Sequence, residues 1–278
     1  MNLSWLESII FGFISGLTEF LPVSSKAHRT LLLELFGAGK ETALTQLIVH
    51  AAILVVLLQT CNGAIQHLNK ERKLLRTPKR RRTRQPDARA VKEMKLLRTT
   101  AIPMVIGLII LSRFSVNTNG LHFLAFFWIL NGVLLYFPTY ISKANKDARS
   151  MSPMDGVLTG ISGMLSAFPG ISRIAVTSAA MISRGADWHY AGHFCLLLSI
   201  PAMIALIILD VAALIAAGIG TISLIIVMKY LLIAAGTYFG AFYGVQLLRF
   251  LTAKGGFVDL SYYCWGMALF SFILYLVT

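Results

Sequence analysis

The sequence has few charged residues. Only 13% of its 278 residues are Asp, Glu, Lys or Arg, whereas a typical soluble domain has about 25%. In their place, 56% of the residues are hydrophobic, and the mean hydropathy is +0.72. Several apolar runs reach the length of about 20 residues that an α-helix needs to cross a bilayer. This composition excludes an ordinary soluble domain and predicts an integral membrane protein.

Cysteine is also scarce, and the common motifs of hydrolases are missing. Cys61, Cys195 and Cys264 are far apart and surrounded by apolar residues, which is typical of buried small side chains rather than disulfides or metal ligands. The sequence contains neither a Gly-x-Ser-x-Gly nucleophile elbow nor a His-Glu-x-x-His zinc motif. The serine hydrolases and zinc peptidases that carry these motifs are therefore excluded.

Acidic residues are fewer than basic ones, and the basic excess lies in one segment. The net charge is +13, and the residues from Lys70 to Arg98 contribute +10 of it through 13 basic and 3 acidic side chains. Basic segments beside membrane spans are typical of the cytoplasmic side, where they also face anionic lipid. We therefore interpret 67–98 as a solvated cytoplasmic loop and do not expect nucleic acid as a partner.

Long apolar runs predict six transmembrane helices, and two further apolar segments are interrupted near their middles. The interrupted segments, 5–37 and 154–186, are broken by Pro22 and by Pro169 with Gly170. Irregular backbone at membrane depth persists only where protein or a wet cavity surrounds it, so we predict two re-entrant helical hairpins. The predicted spans are 43–66, 99–117, 121–141, 190–215, 221–248 and 257–277.

The two interrupted segments contain the same short motif, once in each half of the chain. An apolar chain has little reason to repeat a proline, a serine and a cation at one spacing. Twin interruptions of this kind indicate a polar binding site at the interface of a repeat. The matched residues are Ser15 with Ser162, Gly16 with Gly163, Pro22 with Pro169, Ser25 with Ser172, and Lys26 with Arg173.

The distribution of basic residues predicts that the two halves are inverted relative to each other. With 67–98 in the cytoplasm, the links near 117–120 and 216–221 lie outside. Each half then consists of a hairpin and three spans, and because three is odd, the halves 1–141 and 142–278 have opposite orientations. The predicted fold is therefore an all-α polytopic membrane protein in which two hairpin tips meet from opposite sides.

Polar side chains gather at these two tips. Ionisable residues inside membrane segments are costly and mark function by default, and the N-terminus of a helix binds anions. Arg173 can hold a phosphate through two N–H groups, whereas Lys26 offers a point charge. Glu19 adds a carboxylate for a metal ion or a proton, and His28 adds a base or nucleophile. The predicted phosphate site consists of Glu19, Ser24, Ser25, Lys26, His28, Ser172 and Arg173.

Several of these residues have ordinary alternatives. Ser24 is also a candidate helix N-cap, and Arg173 is a candidate ion-pair partner for Asp210. His50 and Asp210 form either a plain interhelical hydrogen bond or a second layer of contacts that positions the site residues. Ser15 is also assigned to this second layer. The duplication of the motif favours a functional site over these separate explanations.

The stretch from Gly16 to Ser25 with His28, followed by Pro169 to Arg173, resembles the undecaprenyl-diphosphate phosphatases linked to bacitracin resistance. The resemblance covers almost the whole chain. It implies an enzyme of the bacterial plasma membrane that removes the terminal phosphate of the C55 lipid diphosphate at the outer face. The product is the monophosphate carrier used for peptidoglycan and other envelope polymers.

The resemblance also implies roles for individual residues. Glu19 would handle a metal ion or a proton, Ser25 or His28 would be the nucleophile or base, and Arg173 would clamp the diphosphate. A divalent cation, Mg²⁺ or Ca²⁺, is the expected cofactor. The expected partners are the polyprenyl lipid, the membrane and, as an open alternative, a second copy of the chain.

This chain departs from the family pattern at five places, two of which are Gly163 and His50, where the family pattern has glutamine. Ser15 stands where family members typically carry a glutamate, Lys26-Ala27 replaces Thr-Gly, and Ile174-Ala175 replaces Ser-Gly after the arginine. One carboxylate alone binds a divalent ion less well than two, and Lys26 could partly replace the charge of a metal. Two alternatives therefore stand beside the phosphatase: a polyprenyl-phosphate flippase or weakened homologue, and a non-catalytic partner in envelope assembly.

Overall fold

The computed structural model describes residues 3–115, 120–141, 145–218 and 223–277. These residues form eleven α-helices and no β-strand. Six of the described helices are long and apolar enough to cross a membrane, which confirms an all-α, multi-pass membrane protein. They are α3 (Ala43–Thr60), α5 (Ala88–Ser115), α6 (Leu121–Tyr136), α9 (Trp188–Ala217), α10 (Leu224–Ala253) and α11 (Val258–Val277).

Large apolar side chains cover the outward surfaces of these helices. Ile106, Phe126, Leu231 and Phe272 are each about half exposed or more. A soluble protein of this size rarely exposes contiguous apolar surface, whereas a membrane protein presents such side chains to lipid. The described surface therefore agrees with the multi-pass assignment.

Each interrupted segment folds as two helices that pack against each other. The first helix of each pair begins with the same N-terminal capping motif. Ser4 and Glu7 form a capping box at α1, and Ser152 and Asp155 form one at α7. These caps satisfy the first backbone N–H groups of the helix. The re-entrant path through the bilayer stays a prediction. The pairs are α1 (Trp5–Phe20) with α2 (Ser25–Leu35), and α7 (Pro153–Gly163) with α8 (Arg173–Ser183).

The two halves of the chain are interleaved. The first hairpin helix of each half packs on the second long span of the other half, α1 on α10 and α7 on α5. The first spans of the halves, α3 and α9, contact each other, as do the last spans, α6 and α11. The long helices of each half are thus packed against the other half, which brings the two hairpins together.

Small residues allow α1 and α10 to approach closely. A Cβ atom added at Gly240 would collide with the backbone carbonyl of Phe13, and one added at Gly16 would collide with that of Thr237. Small residues spaced by four are the usual way for membrane helices to pack backbone against backbone. The glycines at this contact are Gly12 and Gly16 on α1 and Gly236, Gly240 and Gly244 on α10.

We expect Gly240→Ala to destabilise the protein by about 1–3 kcal/mol, the usual cost of overpacking. Gly266→Ala on α11 is the matched control, because a Cβ there meets no atom within 4 Å. That variant should be neutral or gain up to about 1 kcal/mol from helix propensity. Thermal unfolding of the detergent-solubilised variants measures the difference, and equal melting temperatures would contradict the close contact.

The basic segment is more ordered than the sequence predicted. Instead of a loop over 67–98, the chain continues as α4 (Asn62–Arg76), makes a short 3₁₀ turn at Lys79–Arg81, and enters α5 at Ala88. The connection between the two helices is therefore confined to 77–87. Polar helices that extend beyond the membrane have no hydrophobic run, and a search for apolar spans does not find them.

A buried carboxylate fastens this connection to α4. Glu71 accepts hydrogen bonds from the Arg84 guanidinium, with Nη1 at 3.1 Å from Oε2, and from the backbone N–H of Asp87 at 2.9 Å. These bonds, that of Arg84 first, lower the pKa of Glu71 to about 2. Because folding lowers this pKa, the ionised Glu71 stabilises the folded state. This stabilisation is present at pH values above the unfolded pKa of about 4.3 and is lost as the pH falls toward 2.

Most of the two predicted outer links near 117–120 and 216–221 lies outside the described residues. Their placement on the outer face stays a prediction.

Candidate functional site

The tips of the two hairpins contact each other directly. The backbone N–H of Gly170 donates to Ser24 Oγ at 3.0 Å, and Ser172 Oγ donates to the carbonyl of Leu21 at 3.4 Å. All four residues lie in or next to the irregular segments between the paired helices, 21–24 and 164–172. The sequence predicted that the two tips meet, and these hydrogen bonds confirm the contact.

Helix α6 holds both tips in register. The Asn131 amide donates from Nδ2 to the carbonyl of Pro22 at 2.7 Å and accepts at Oδ1 from the N–H of Ser172 at 2.8 Å. Trp128 Nε1 donates to the carbonyl of Val23 at 2.9 Å. Neither side chain is among the predicted site residues. An asparagine within an apolar span is a signal for such a bridge, because buried amides in membranes need partners.

Ser24 adopts an unusual backbone conformation. Its φ of 69° is the only left-handed value of a non-glycine residue in the described chain, and such a conformation costs about 1–3 kcal/mol. Its side chain does not cap α2 but accepts from Gly170 of the other tip. By contrast, Ser172 caps α8 by accepting from the N–H of Ala175 at 3.4 Å. Ser24 thus occupies the N-cap position of α2 but does not cap the helix through its side chain, whereas Ser172 caps α8.

Glu19 and Arg173 form a buried ion pair between the hairpins. Arg173 Nη2 lies 2.6 Å from Glu19 Oε1, and the side chains are only 7% and 11% exposed. The pair joins the last turn of α1 to the first residue of α8. Arg173 therefore pairs with an acid, as one of its ordinary alternatives had it, but the partner is Glu19, whereas Asp210 pairs with His50. Arg173 Nε is buried without a hydrogen-bond partner in the described part of the chain. Buried donors are normally satisfied, so this one is available to a ligand.

The first turn of α2 carries a hydroxyl and two cations. Ser25 Oγ donates to the carbonyl of Ser15 at 2.9 Å, and Lys26 Nζ reaches the carbonyl of Ala167 at the other tip at 3.4 Å. One turn further on, Arg29 Nη1 lies 3.5 Å from Ser25 Oγ. Arg29 is not among the predicted site residues, although its distance of four positions from Ser25 on a helix would place it there.

His28 is held away from Ser25. Its Nδ1 lies 2.7 Å from the carbonyl of Ser24, and its Nε2 lies 2.8 Å from the hydroxyl of Tyr263 on α11. The imidazole also packs edge-on against Trp128, with 5.3 Å between ring centroids. Both ring nitrogens are thus engaged by groups other than Ser25. The prediction from the spacing, that the two residues face one pocket, stays a prediction.

Similarity to known proteins identifies the family of this chain. The family model of the bacitracin resistance protein BacA matches residues 8–270. The chain belongs to the BacA family. It is 30% identical over 283 residues to an undecaprenyl-diphosphatase of Treponema denticola, with 96% of this chain and 100% of that protein covered. It is 26% identical over 273 residues to one of Halothermothrix orenii, with 96% of each chain covered. The resemblance predicted from the motifs is confirmed.

The remaining candidates of this BacA-family chain are Ser15, His50 and Asp210. His50 Nδ1 and Asp210 Oδ2 are 2.6 Å apart, and both side chains are buried where α3 meets α9. This is the interhelical hydrogen bond that the sequence offered as one alternative. The hydroxyl of Ser15 donates to the carbonyl of Phe11 in its own helix, so Ser15 contacts the site through its backbone carbonyl.

The side chains present do not fit a divalent cation well. Mg²⁺ and Ca²⁺ are held by several oxygen ligands, carboxylates above all. Here the Glu19 carboxylate is already paired with Arg173, and the described residues include no group of three His, Cys, Asp or Glu side chains that could hold a metal. The expected Mg²⁺ or Ca²⁺ therefore stays a prediction, and no step of the mechanism below uses it.

Proposed function

We propose that this protein is a membrane phosphatase that releases the terminal phosphate of a polyprenyl diphosphate, undecaprenyl diphosphate above all. The lipid monophosphate that remains is the carrier for cell-envelope synthesis. One observation carries the proposal: Arg173, with an unsatisfied Nε, is buried beside Glu19 at the point where two helices begin. Membership of a family whose curated relatives are named undecaprenyl-diphosphatases supports it.

The tips offer what a diphosphate requires. Helices α2 and α8 both begin there, at Ser25 and Arg173, and their positive dipole ends and free N–H groups favour an anion. Lys26 and Arg173 add full charges close to those N-termini. The polyprenyl chain is as apolar as the bilayer interior, so it can remain in lipid while only the headgroup enters the site.

Ser25 is the nucleophile in this proposal. Its Oγ attacks the terminal phosphorus and passes its proton to Glu19, while the bond from phosphorus to the bridging oxygen breaks and lipid monophosphate leaves. Water then attacks the phosphorus of the phosphoserine, and both of its protons stay with the phosphate. The bond from phosphorus to Ser25 Oγ breaks, Glu19 returns its proton to Ser25 Oγ, and inorganic phosphate departs. Arg173 and Lys26 stabilise the negative charge that develops on the phosphate oxygens.

His28 has a positioning role in this scheme. Its bonds to the Ser24 carbonyl and the Tyr263 hydroxyl tie the start of α2 to α11. A catalytic serine that is displaced by 1 Å can lose about 100-fold in rate. His28 therefore supports Ser25 by fixing the backbone immediately before it.

We also infer that the halves 1–141 and 142–278 are inverted repeats, with 67–98 in the cytoplasm and the site open to the outer face. The reciprocal packing of α1 on α10 and of α7 on α5 supports the repeat. So do the glycines spaced by four on both first hairpin helices, Gly12 and Gly16 on α1 and Gly156 and Gly160 on α7. The orientation rests on the basic residues alone.

The test is phosphate release by the purified protein from C55 and C15 diphosphates in detergent. We expect phosphate release that depends on the intact tips. Phosphate release no higher than that of an empty-vector preparation would contradict the proposal. The flippase alternative predicts movement of a lipid phosphate across liposomes without release. Gel filtration with light scattering measures the homodimer, which the proposed mechanism does not require.

A further inference from the structure

We propose that Arg29 is a phosphate-binding residue of this site. Together with Lys26 and Arg173 it supplies the positive charge for which a divalent cation is otherwise expected. The diphosphate substrate rests on the proposed function. That the site binds a diphosphate without a metal ion is a separate property, which can be tested independently of phosphate release. The site is thus a three-cation cradle, defined as Lys26, Arg29 and Arg173.

The position of Arg29 follows from helix geometry. It lies four residues after Ser25 on α2, and long helical side chains lean back toward the N-terminus of their helix. The guanidinium is accordingly 3.5 Å from Ser25 Oγ through Nη1, and the residue is only 3% exposed. It therefore faces the hydroxyl that attacks phosphorus.

Glu41 holds Arg29 but does not saturate it. Arg29 Nε and Glu41 Oε1 are 3.0 Å apart, yet neither atom makes a hydrogen bond of good geometry in the described part of the chain. A guanidinium has five N–H donors. In a purely structural ion pair we would expect two of these N–H donors to point at the carboxylate. In this pair Glu41 holds the guanidinium in place, and N–H donors of Arg29 are left for phosphate oxygens.

The charges at the site favour an anion without help from a metal. Three cations, Lys26, Arg29 and Arg173, lie in or beside the tips, and two carboxylates pair with the arginines, Glu41 with Arg29 and Glu19 with Arg173. The formal charge of these five groups is therefore in excess on the positive side. Guanidinium groups that are already held in place favour the binding of a diphosphate through charge-assisted hydrogen bonds.

Ser15 fits the same explanation. It occupies the turn of α1 before Glu19, and its carbonyl contacts Ser25. A carboxylate in its place would add negative charge next to Glu19 and cancel the excess. The neutral Ser15 beside Lys26 and Arg29 therefore agrees with a site that binds its anion through cations.

The test measures binding of inorganic pyrophosphate and of farnesyl diphosphate by isothermal titration calorimetry, using metal-depleted protein in detergent with EDTA. Wild-type protein should bind both under these conditions, and added Mg²⁺ should leave the affinity within about twofold. Arg29→Met should weaken binding by at least about tenfold, the equivalent of one charge-assisted hydrogen bond. Arg29→Lys should lie between the two.

Two further variants separate binding from folding. The double variant Arg29→Met with Glu41→Gln leaves no unpaired carboxylate, and it should bind as weakly as Arg29→Met alone. Arg184→Gln removes an arginine that pairs with Asp155 away from the tips, with Nε 2.6 Å from Oδ1, and it should bind like the wild type. Unchanged binding by Arg29→Met would overturn the role of Arg29.

The outcome for metal distinguishes this inference from the proposed function. Binding and phosphate release that both vanish in EDTA and return with Mg²⁺ would overturn the three-cation cradle and leave the phosphatase intact. Pyrophosphate binding that resists EDTA, in a protein that releases no phosphate, would support the cradle and reject the phosphatase.

Discussion

Arg173→Ala is expected to lower the rate of phosphate release by about 100- to 1,000-fold, the usual effect of removing one donor aimed at developing negative charge. In the structure Arg173 bridges the two hairpins through Glu19 at 2.6 Å and has a buried Nε without a partner. Alanine removes both the bridge and the free donor. Initial rates with farnesyl diphosphate in detergent micelles measure the effect.

The controls for this variant address charge and stability separately. Arg173→Lys keeps the charge but not the planar fork, so we expect an intermediate rate. Arg173→Ala also leaves Glu19 buried and unpaired, which should lower the free energy of unfolding by about 3–5 kcal/mol. The double variant with Glu19→Gln avoids this loss of stability. Arg184→Gln should retain the wild-type rate. A wild-type rate for well-folded Arg173→Ala would reject Arg173 as the clamp.

The parts of the fold that follow from local sequence were predictable. Six spans follow from apolar length, and the two hairpins follow from Pro22 and Pro169 within apolar runs. That the two tips meet followed from the repeated motif together with the charge distribution, whereas the pairing of Ser24 with Gly170 is seen only in the structure. These features depend on the chemistry of neighbouring residues or on a repeat that is visible in the sequence.

The partners of the site residues were not predictable in the same way. Asn131, Tyr263 and Glu41 reach the tips from α6, α11 and the connection after α2, and their contacts depend on how distant helices pack. Asn131 and Tyr263 carry no formal charge, so a search for ionisable residues passes over them. Glu41 lies in a short polar connection, where a carboxylate is ordinary.

The partners of His28 show how one backbone angle can change the contacts of a residue that spacing alone describes incompletely. Three residues on a helix place two side chains on neighbouring parts of the surface. However, the left-handed φ of Ser24 turns the chain just before α2 and directs the Ser24 carbonyl to His28 Nδ1. The imidazole is then fixed against Trp128 and Tyr263. No sequence rule for non-glycine residues predicts such a φ value.

This arrangement leads to the second large effect, which separates the two candidate nucleophiles. Ser25→Ala should reduce phosphate release by about 10,000-fold or more, as removal of a covalent nucleophile does. His28→Ala should cost only about 10- to 100-fold, because it loosens the position of Ser25. Tyr263→Phe is the matched variant, since it removes the hydroxyl that binds His28 Nε2 but keeps the stacked ring. Its rate of phosphate release should also fall, by a smaller factor than that of His28→Ala.

A trapped intermediate decides between the candidates independently of rates. Rapid acid quench of a reaction with diphosphate labelled in the terminal phosphate should leave acid-stable label on Ser25, and Ser25→Ala should leave none. A phosphohistidine would be lost in acid and retained in base. If His28→Ala were as inactive as Ser25→Ala and the label were acid-labile, His28 would be the nucleophile. The bonds of His28 to Ser24 and Tyr263 would then have to break before each turnover, whereas Ser25 needs only to release the carbonyl of Ser15.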